Sequence, residues 1–183
     1  MPATVTKPLT AEEFFALPDD GRKLELVRGE VTVMSSPGLR HGEAQGNAYR
    51  LLKNYLIETK LGRVFVESGL VTERNLDTVR GPDVSYYSKE RLPLDLQVVA
   101  YHNQPADLCV EVKSPSNTMR ELRDKAKEYL FAGVRMVWII DPEDRTVTII
   151  TDPLESRMLE ADATLDGGDV LSGFSCKVAD FFA

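Results

Sequence analysis

Two carboxylates and an ammonium draw attention because they sit where charge is costly. In "ADLCVEVKSPS", residues 106–116, Glu111 lies inside an apolar run and Lys113 follows two residues later. A buried charge is unfavourable unless it is paired, hydrogen-bonded or bound to a metal. Side chains alternate along a strand, so Glu111 and Lys113 are expected to point the same way, ~7 Å apart along the backbone. Asp83, in "GPDV", opens an earlier candidate strand. Pairing of that strand with residues 107–113 would set Asp83 against Glu111. Two carboxylates and the backbone carbonyl of Val112 make a set of hard oxygen donors, the kind that Mg2+ takes while keeping several waters. One of those waters could attack a phosphate. Lys113 would hold or deprotonate it, or stabilise the charge growing on the phosphate. These parts suit metal-assisted hydrolysis of a phosphodiester.

The short pattern recurs, and context separates its copies. Glu58-Thr59-Lys60 repeats the acid–x–lysine spacing at a helix end, where residues two apart diverge, and Pro18-Asp19 repeats Pro82-Asp83 in a polar turn. Only Asp83 and Glu111-Val112-Lys113 fall on candidate strands. Read without further context, the pattern favours a Glu–Lys pair at a sheet rim and an aspartate in a turn.

The elements that must position these groups are legible in part. Thr10 and Glu13 form a capping box before a short helix, with Leu9 and Phe14 at the spacing of a hydrophobic staple. "KLELVRGEVTVM" reads as a hairpin turning at Arg28-Gly29. Leu26 then faces Val31 and Leu24 faces Val33, while Glu25, Glu30 and Thr32 share the opposite, polar face. Apolar residues at Ala44, Ala48, Leu51, Leu52, Tyr55 and Leu56 predict a helix over 39–60, stopped at Gly62. "RVFVESGLVTE" and "DVSYY" read as strands, and residues 87–106 as a long connection. Residues 107–140 read as strand, helix, strand, a βαβ crossover whose helix is capped by Thr118 with Glu121 and ended by Gly133. "TVTII" follows as a strand, and "FSCKVADFFA" finishes with a strand and a short helix. The sum is an α/β chain, one domain over 1–183, with a central mixed sheet flanked by helices.

Composition narrows the partners. A net charge of -7 argues against broad attraction to nucleic acid or an anionic membrane, leaving room only for a local basic groove. Two cysteines, Cys109 and Cys176, make neither a disulfide framework nor a four-ligand zinc site. No apolar run is long enough to span a bilayer, and the first residues do not read as a signal peptide. A cytoplasmic protein without membrane association is expected.

Several other residues invite chemistry. His41, near the start of the 39–60 helix, could contact a phosphate or carry a proton, and Gln45 one turn on could line the same cleft. His102 sits in the long connection and reads as structural. Arg120, Arg123 and Lys127 interleave with Glu121, Asp124 and Glu128, the pattern of a solvated face. Ser114 and Ser116 lack a histidine partner in sequence and suit turn and capping roles. Trp138 and Tyr129 fall within apolar patterns and read as core.

"GPDV", "ADLCVEVKSPS" and "DKAKEYLFAGVRMVWIIDPEDRTV", with "TAEEFFALPDDGRKLELVRGEVTVM" at the start, resemble the Uma-type restriction endonuclease family within the PD-(D/E)XK nuclease superfamily. The resemblance covers almost the whole chain. It implies a restriction-endonuclease-like core, a divalent cation (Mg2+, with Mn2+ as substitute) and a nucleic-acid substrate, DNA before RNA. Asp83, Glu111 and Lys113 take the family's motif positions. Glu25 matches the glutamate of the family's "ELxxGE" segment, as a further metal ligand or through a bound water. The alternative at Glu25 is a solvated strand carboxylate. Lys125 resembles a lysine or glutamine found near the active centre in the superfamily, and could touch a phosphate; the alternative is a solvated helix lysine beside Asp124 and Glu128. A homodimer would match the two-fold symmetry of duplex DNA. The rival functions are a weakly active or inactive nucleic-acid-binding protein on the same fold, and a hydrolase of a small phosphoester.

Overall fold

The computed structural model describes residues 7–183. Thr10 caps α1 (Ala11–Phe15), its hydroxyl accepting from the Glu13 N–H while the Glu13 carboxylate accepts from the Thr10 N–H, as the sequence requires. The hairpin β1 (Leu24–Val27) and β2 (Glu30–Val33) pairs Leu24 with Val33 and Leu26 with Val31. Its turn holds Arg28 at φ +51 and Gly29 at φ +81, the primed geometry that matches strand twist. A side chain at Gly29 would collide with Pro8 Cβ, 2.3 Å from where its own Cβ would stand. Only the β1 half of the expected apolar face is buried. Leu26 is enclosed, whereas Val31 and Val33 on edge strand β2 are exposed.

Helix α2 (Leu39–Thr59) ends in a left-handed residue, but that residue is Lys60. Gly62 instead begins β3 (Gly62–Val66), because a Cβ there would stand 2.1 Å from the Tyr87 carbonyl oxygen. The run expected over 63–73 is broken at Glu67, whose φ of +48 turns the chain out of β3 and into β4 (Leu70–Glu73). A short strand that the sequence reading passed over, β5 (Thr78–Arg80), pairs with β4 and with β1. The hairpin therefore belongs to a four-stranded sheet ordered β2-β1-β5-β4.

The main sheet has six strands. β6 (Val84–Ser88) lies antiparallel to β3 and to β7 (Leu108–Val112). β7 runs parallel to β8 (Met136–Asp141) through the right-length crossover α3 (Met119–Phe131), and β9 (Thr146–Asp152) and β10 (Glu155–Leu159) complete it. The architecture is mixed α/β, as the sequence predicts. A two-stranded ribbon, β11 (Thr164–Asp166) and β12 (Ser175–Lys177), and a closing 3-10 turn (Val178–Phe182) follow.

Alternation along β7 sorts the core. Leu108, Val110 and Val112 pack with α2 and the C-terminal turn around Trp138 and Phe181. Cys109 packs on the other face with Leu122, Ala126 and Tyr129 of α3. Glu111 shares that second face, so its carboxylate emerges beneath α3. Among the described residues no helix is long and apolar enough to cross a membrane.

Candidate active site

The antiparallel register Val84↔Val110, continued by one residue, sets Asp83 opposite Glu111 at the place where β6 begins and β7 ends. Both carboxylates are buried, and both line a cleft of about 450 Å3 walled by β1, α3 and the start of α2.

Each carboxylate is divided between scaffold and cleft. Asp83 Oδ2 accepts from the Val112 N–H at 2.8 Å and lies 3.2 Å from His41 Nε2. Its Oδ1 faces the Lys23 ammonium at 3.2 Å. Glu111 Oε1 accepts from the Tyr129 hydroxyl at 2.6 Å and meets the Lys125 ammonium at 3.0 Å. Its Oε2 takes no hydrogen bond among the described residues. The Val112 carbonyl is released by a third device. Lys113 N–H donates to Ile140 of β8, so the polar groups of Val112 point the other way, towards β6. One more step of the register sets Pro82 there, and proline has no N–H to offer. The scaffold thus leaves three oxygens, one from each of Asp83, Glu111 and Val112, uncommitted or held only by a lysine. That donor chemistry fits Mg2+, which is bound through one or two carboxylates and keeps its waters. Among the described residues no three His, Cys, Asp or Glu side chains gather into a closed cage.

The expected place of Lys113 is corrected. Its ammonium sits 2.7 Å from Asp141 Oδ2 and 3.8 Å from Glu143, and it does not line the cleft. The reason is local: Asp141 ends the neighbouring parallel strand and offers a carboxylate at closer range. Lys125 of α3 stands in the cleft instead, bridging Glu25 Oε1 at 2.9 Å and Glu111 Oε1 at 3.0 Å. The solvated alternative for Lys125 is therefore overturned. The same holds for Glu25, which is buried with both oxygens engaged. Oε2 accepts from Arg80 at 2.9 Å, and Oε1 from the Gly81 N–H and from Lys125. Arg80 also chelates Glu128 of α3, tying β5 to the helix that carries Lys125.

His41 and Gln45 do reach the site, and both are occupied with Asp83; His41 also lines the cleft, whereas Gln45 does not. Gln45 Nε2 donates to the Asp83 carbonyl at 3.1 Å and to Glu67 at 3.4 Å. His41 commits Nε2 to Asp83, leaving Nδ1 the one buried side-chain polar atom without a partner among the described residues. His102 Nε2 lies 2.7 Å from the Arg91 carbonyl and is structural.

Sequence reasoning missed Lys23, Arg80, Glu67 and the polar end of Tyr129. For Tyr129 a signal existed: a buried tyrosine hydroxyl seeks a partner, and it lies one helical turn from Lys125.

The charges set their own protonation. Burial works against ionised Asp83, yet His41, Lys23 and the Val112 N–H together hold its carboxyl below the usual range. For Glu111 burial prevails, helped by the charge of Asp83 and opposed by Lys125 and Tyr129, so its carboxyl is pushed up. Burial alone would lower Lys125, but Glu111 and Glu25 outweigh it and hold the ammonium above the ordinary lysine range. Glu25 is held down, because Lys125, Arg80 and Gly81 overcome its burial.

A crystal structure described as "a putative nuclease belonging to DUF820" from Anabaena variabilis superposes with a TM-score of 0.82 at 22% identity, covering 96% of this chain and 98% of that one. A cryo-EM structure of a DrdV–DNA complex aligns at 13% identity and TM-score 0.33, over 76% of this chain and 96% of that one. No curated protein matches the sequence. The family model Uma2, described as "Putative restriction endonuclease", matches residues 11–179. The chain belongs to the Uma2 family.

Proposed function

We propose that the protein is a divalent-metal-dependent endonuclease that hydrolyses phosphodiester bonds, with DNA as its substrate. The observation that carries this reading is the pairing of Asp83 and Glu111 across one sheet edge, each with one oxygen anchored by the scaffold, the second oxygen of Glu111 without a partner among the described residues and that of Asp83 held only by Lys23. The family's description supports it. Asp83, Glu111 and the Val112 carbonyl would hold Mg2+ or Mn2+. When bound, the ion would lower the pKa of a coordinated water and polarise the phosphate.

The chain's own residues do the rest. Asp83, held ionised, keeps a full negative charge for the ion. Lys125 keeps its proton, since its two carboxylate partners stabilise the charged form. It is therefore a donor and a counter-charge, not a base: it orients the attacking water and offsets charge growing on the phosphate oxygens. Lys125 takes the role that the motif spacing suggests for Lys113. Glu25 and Arg80 act through Lys125 by fixing its position, and His41 and Gln45 act through Asp83.

The test offers purified protein, with Mg2+ or Mn2+, plasmid, linear and single-stranded DNA, RNA and a small phosphodiester. Cutting of DNA that Glu111→Ala abolishes is the expected result. Turnover of the small ester alone would move the reading to a small-molecule phosphodiesterase. Metal binding with no cleavage of any substrate would leave an accessory binding protein.

A further inference from the structure

Lys23 places a cation on the one Asp83 oxygen that the scaffold does not use. Its ammonium lies 3.2 Å from Asp83 Oδ1 and 3.4 Å from Glu67 Oε1. The backbone at Lys23 is fixed, its carbonyl accepting from the Met34 N–H at 2.8 Å. The four-carbon stem is not fixed in the same way, and lysine carries its charge as a mobile point.

Glu67 supplies a second seat. A non-glycine residue at φ +48 is strained, and such strain persists where surrounding contacts enforce it. Here the Glu67 N–H donates to the Asp83 carbonyl at 3.3 Å, and the Gln45 amide donates to its carboxylate. The result is an exposed carboxylate held beside a buried one, with Lys23 between them. Lys23 also borders a second cleft of about 620 Å3, on the side of Phe15 and Tyr101, so the stem has open space to turn into. Lys125 has no such freedom, clasped by Glu25 and Glu111.

We propose that Lys23 is a displaceable counter-ion of the metal site: it neutralises Asp83 in the metal-free protein, competes with the dication for Asp83 Oδ1, and moves onto Glu67 and the substrate phosphate once the dication binds. The proposal rests on the metal reading of Asp83 and Glu111 above. Its physical basis is that an ammonium and a dication repel strongly at the separation one shared carboxylate oxygen would impose. The same residue therefore weakens metal binding and aids substrate binding, two effects of opposite sign that a merely structural lysine does not produce.

The experiment is Mn2+ titration calorimetry on the full chain without nucleic acid, for wild type, Lys23→Met, Glu67→Gln and Asp83→Asn, each checked for folding by circular dichroism. Lys23→Met is expected to bind Mn2+ on the order of tenfold more tightly, the effect of removing one competing cation. Glu67→Gln keeps Lys23 but takes away its alternative seat, so it is expected to bind severalfold more weakly; it reports on the same competition even should Lys23→Met fail to fold. With DNA and saturating Mn2+, Lys23→Met is expected to raise KM. Unchanged or weaker Mn2+ binding by Lys23→Met, with binding still lost in Asp83→Asn, overturns the counter-ion and leaves the metal site standing. Absence of Mn2+ binding in both wild type and Lys23→Met overturns both.

Discussion

Lys113 and Lys125 begin from similar prospects and end in different surroundings. Lys113 follows the motif strand at the spacing that nuclease chemistry uses, and its ammonium goes to Asp141 at the end of β8. Lys125 comes from a helix whose charges read as solvated, and it is clasped by Glu25 and Glu111 inside the cleft. The difference teaches that a strand sets the face on which a side chain leaves, not the partner it finds. A flexible lysine stem spans several ångströms, so the nearest carboxylate decides. For Lys113 that is the neighbour in the parallel pair; for Lys125 it is a glutamate 100 residues earlier in the chain.

The strongest way to break this comparison is to remove each ammonium in turn. Lys125→Met should lower DNA cleavage by a thousandfold or more. It should also destabilise the fold by about 3–5 kcal/mol, the usual result of leaving buried charges unpaired, read as a fall in the denaturant midpoint. Lys113→Met leaves the buried Asp141 carboxylate with the Glu143 and Asp144 N–H groups as donors, so it should cost less, about 1–3 kcal/mol, and reduce cleavage less than tenfold. Equal losses in the two variants would return the catalytic role to the motif position.

The next effect concerns the carboxylate behind Lys125. Glu25→Gln should lower kcat by roughly ten- to a hundredfold with little change in KM, the range seen when a group orienting a catalytic residue is lost. A double cycle with Lys125→Met should show strong non-additivity, about 1–3 kcal/mol in stability, because the two share one contact. Additive losses would mean that Glu25 does not act through Lys125.

A pH series sharpens the contrast between the two carboxylates. Glu111 is raised, so its contribution to stability is complete below its ordinary value of 4.5 and is lost as pH rises through the higher folded value. Asp83 is lowered, so its contribution is present above 3.8 and is lost as pH falls through the lower folded value. Thermal melts of the metal-free protein should therefore show a loss above pH 4.5 that Glu111→Gln removes and that added Mg2+ reverses. A loss that survives Glu111→Gln would assign the effect to another group.

The smallest expected effect is at Asp141. Asp141→Asn keeps an acceptor for the Glu143 N–H and should free the Lys113 ammonium at a cost of about 1 kcal/mol, with cleavage within a few-fold of wild type. A large gain in activity would show that Asp141 holds Lys113 out of the site.

Much of the scaffold was legible because its signals are local. The hairpin register follows from the turn at Arg28-Gly29, and both capping boxes follow from a hydroxyl three residues before a glutamate. Asp83 and Glu111 were legible because strand alternation and one antiparallel pairing suffice to bring them together. The break at Glu67 was not, because valine and phenylalanine on one side and leucine and valine on the other read as continuous strand. β5 was not, because three residues carry too little periodicity.

By itself the sequence determined most of the strands, the crossover helix, the hairpin and the two carboxylates at one sheet edge, since each rests on contacts between residues near in order or on a single strand pairing. Tertiary structure alone decided which cation serves them. Lys23, Arg80 and Lys125 reach the site from the loop before β1, from β5 and from α3, and each is placed by a carboxylate far away in the chain. Charge pairing in a buried cleft depends on distance in space, and no spacing along the chain encodes it.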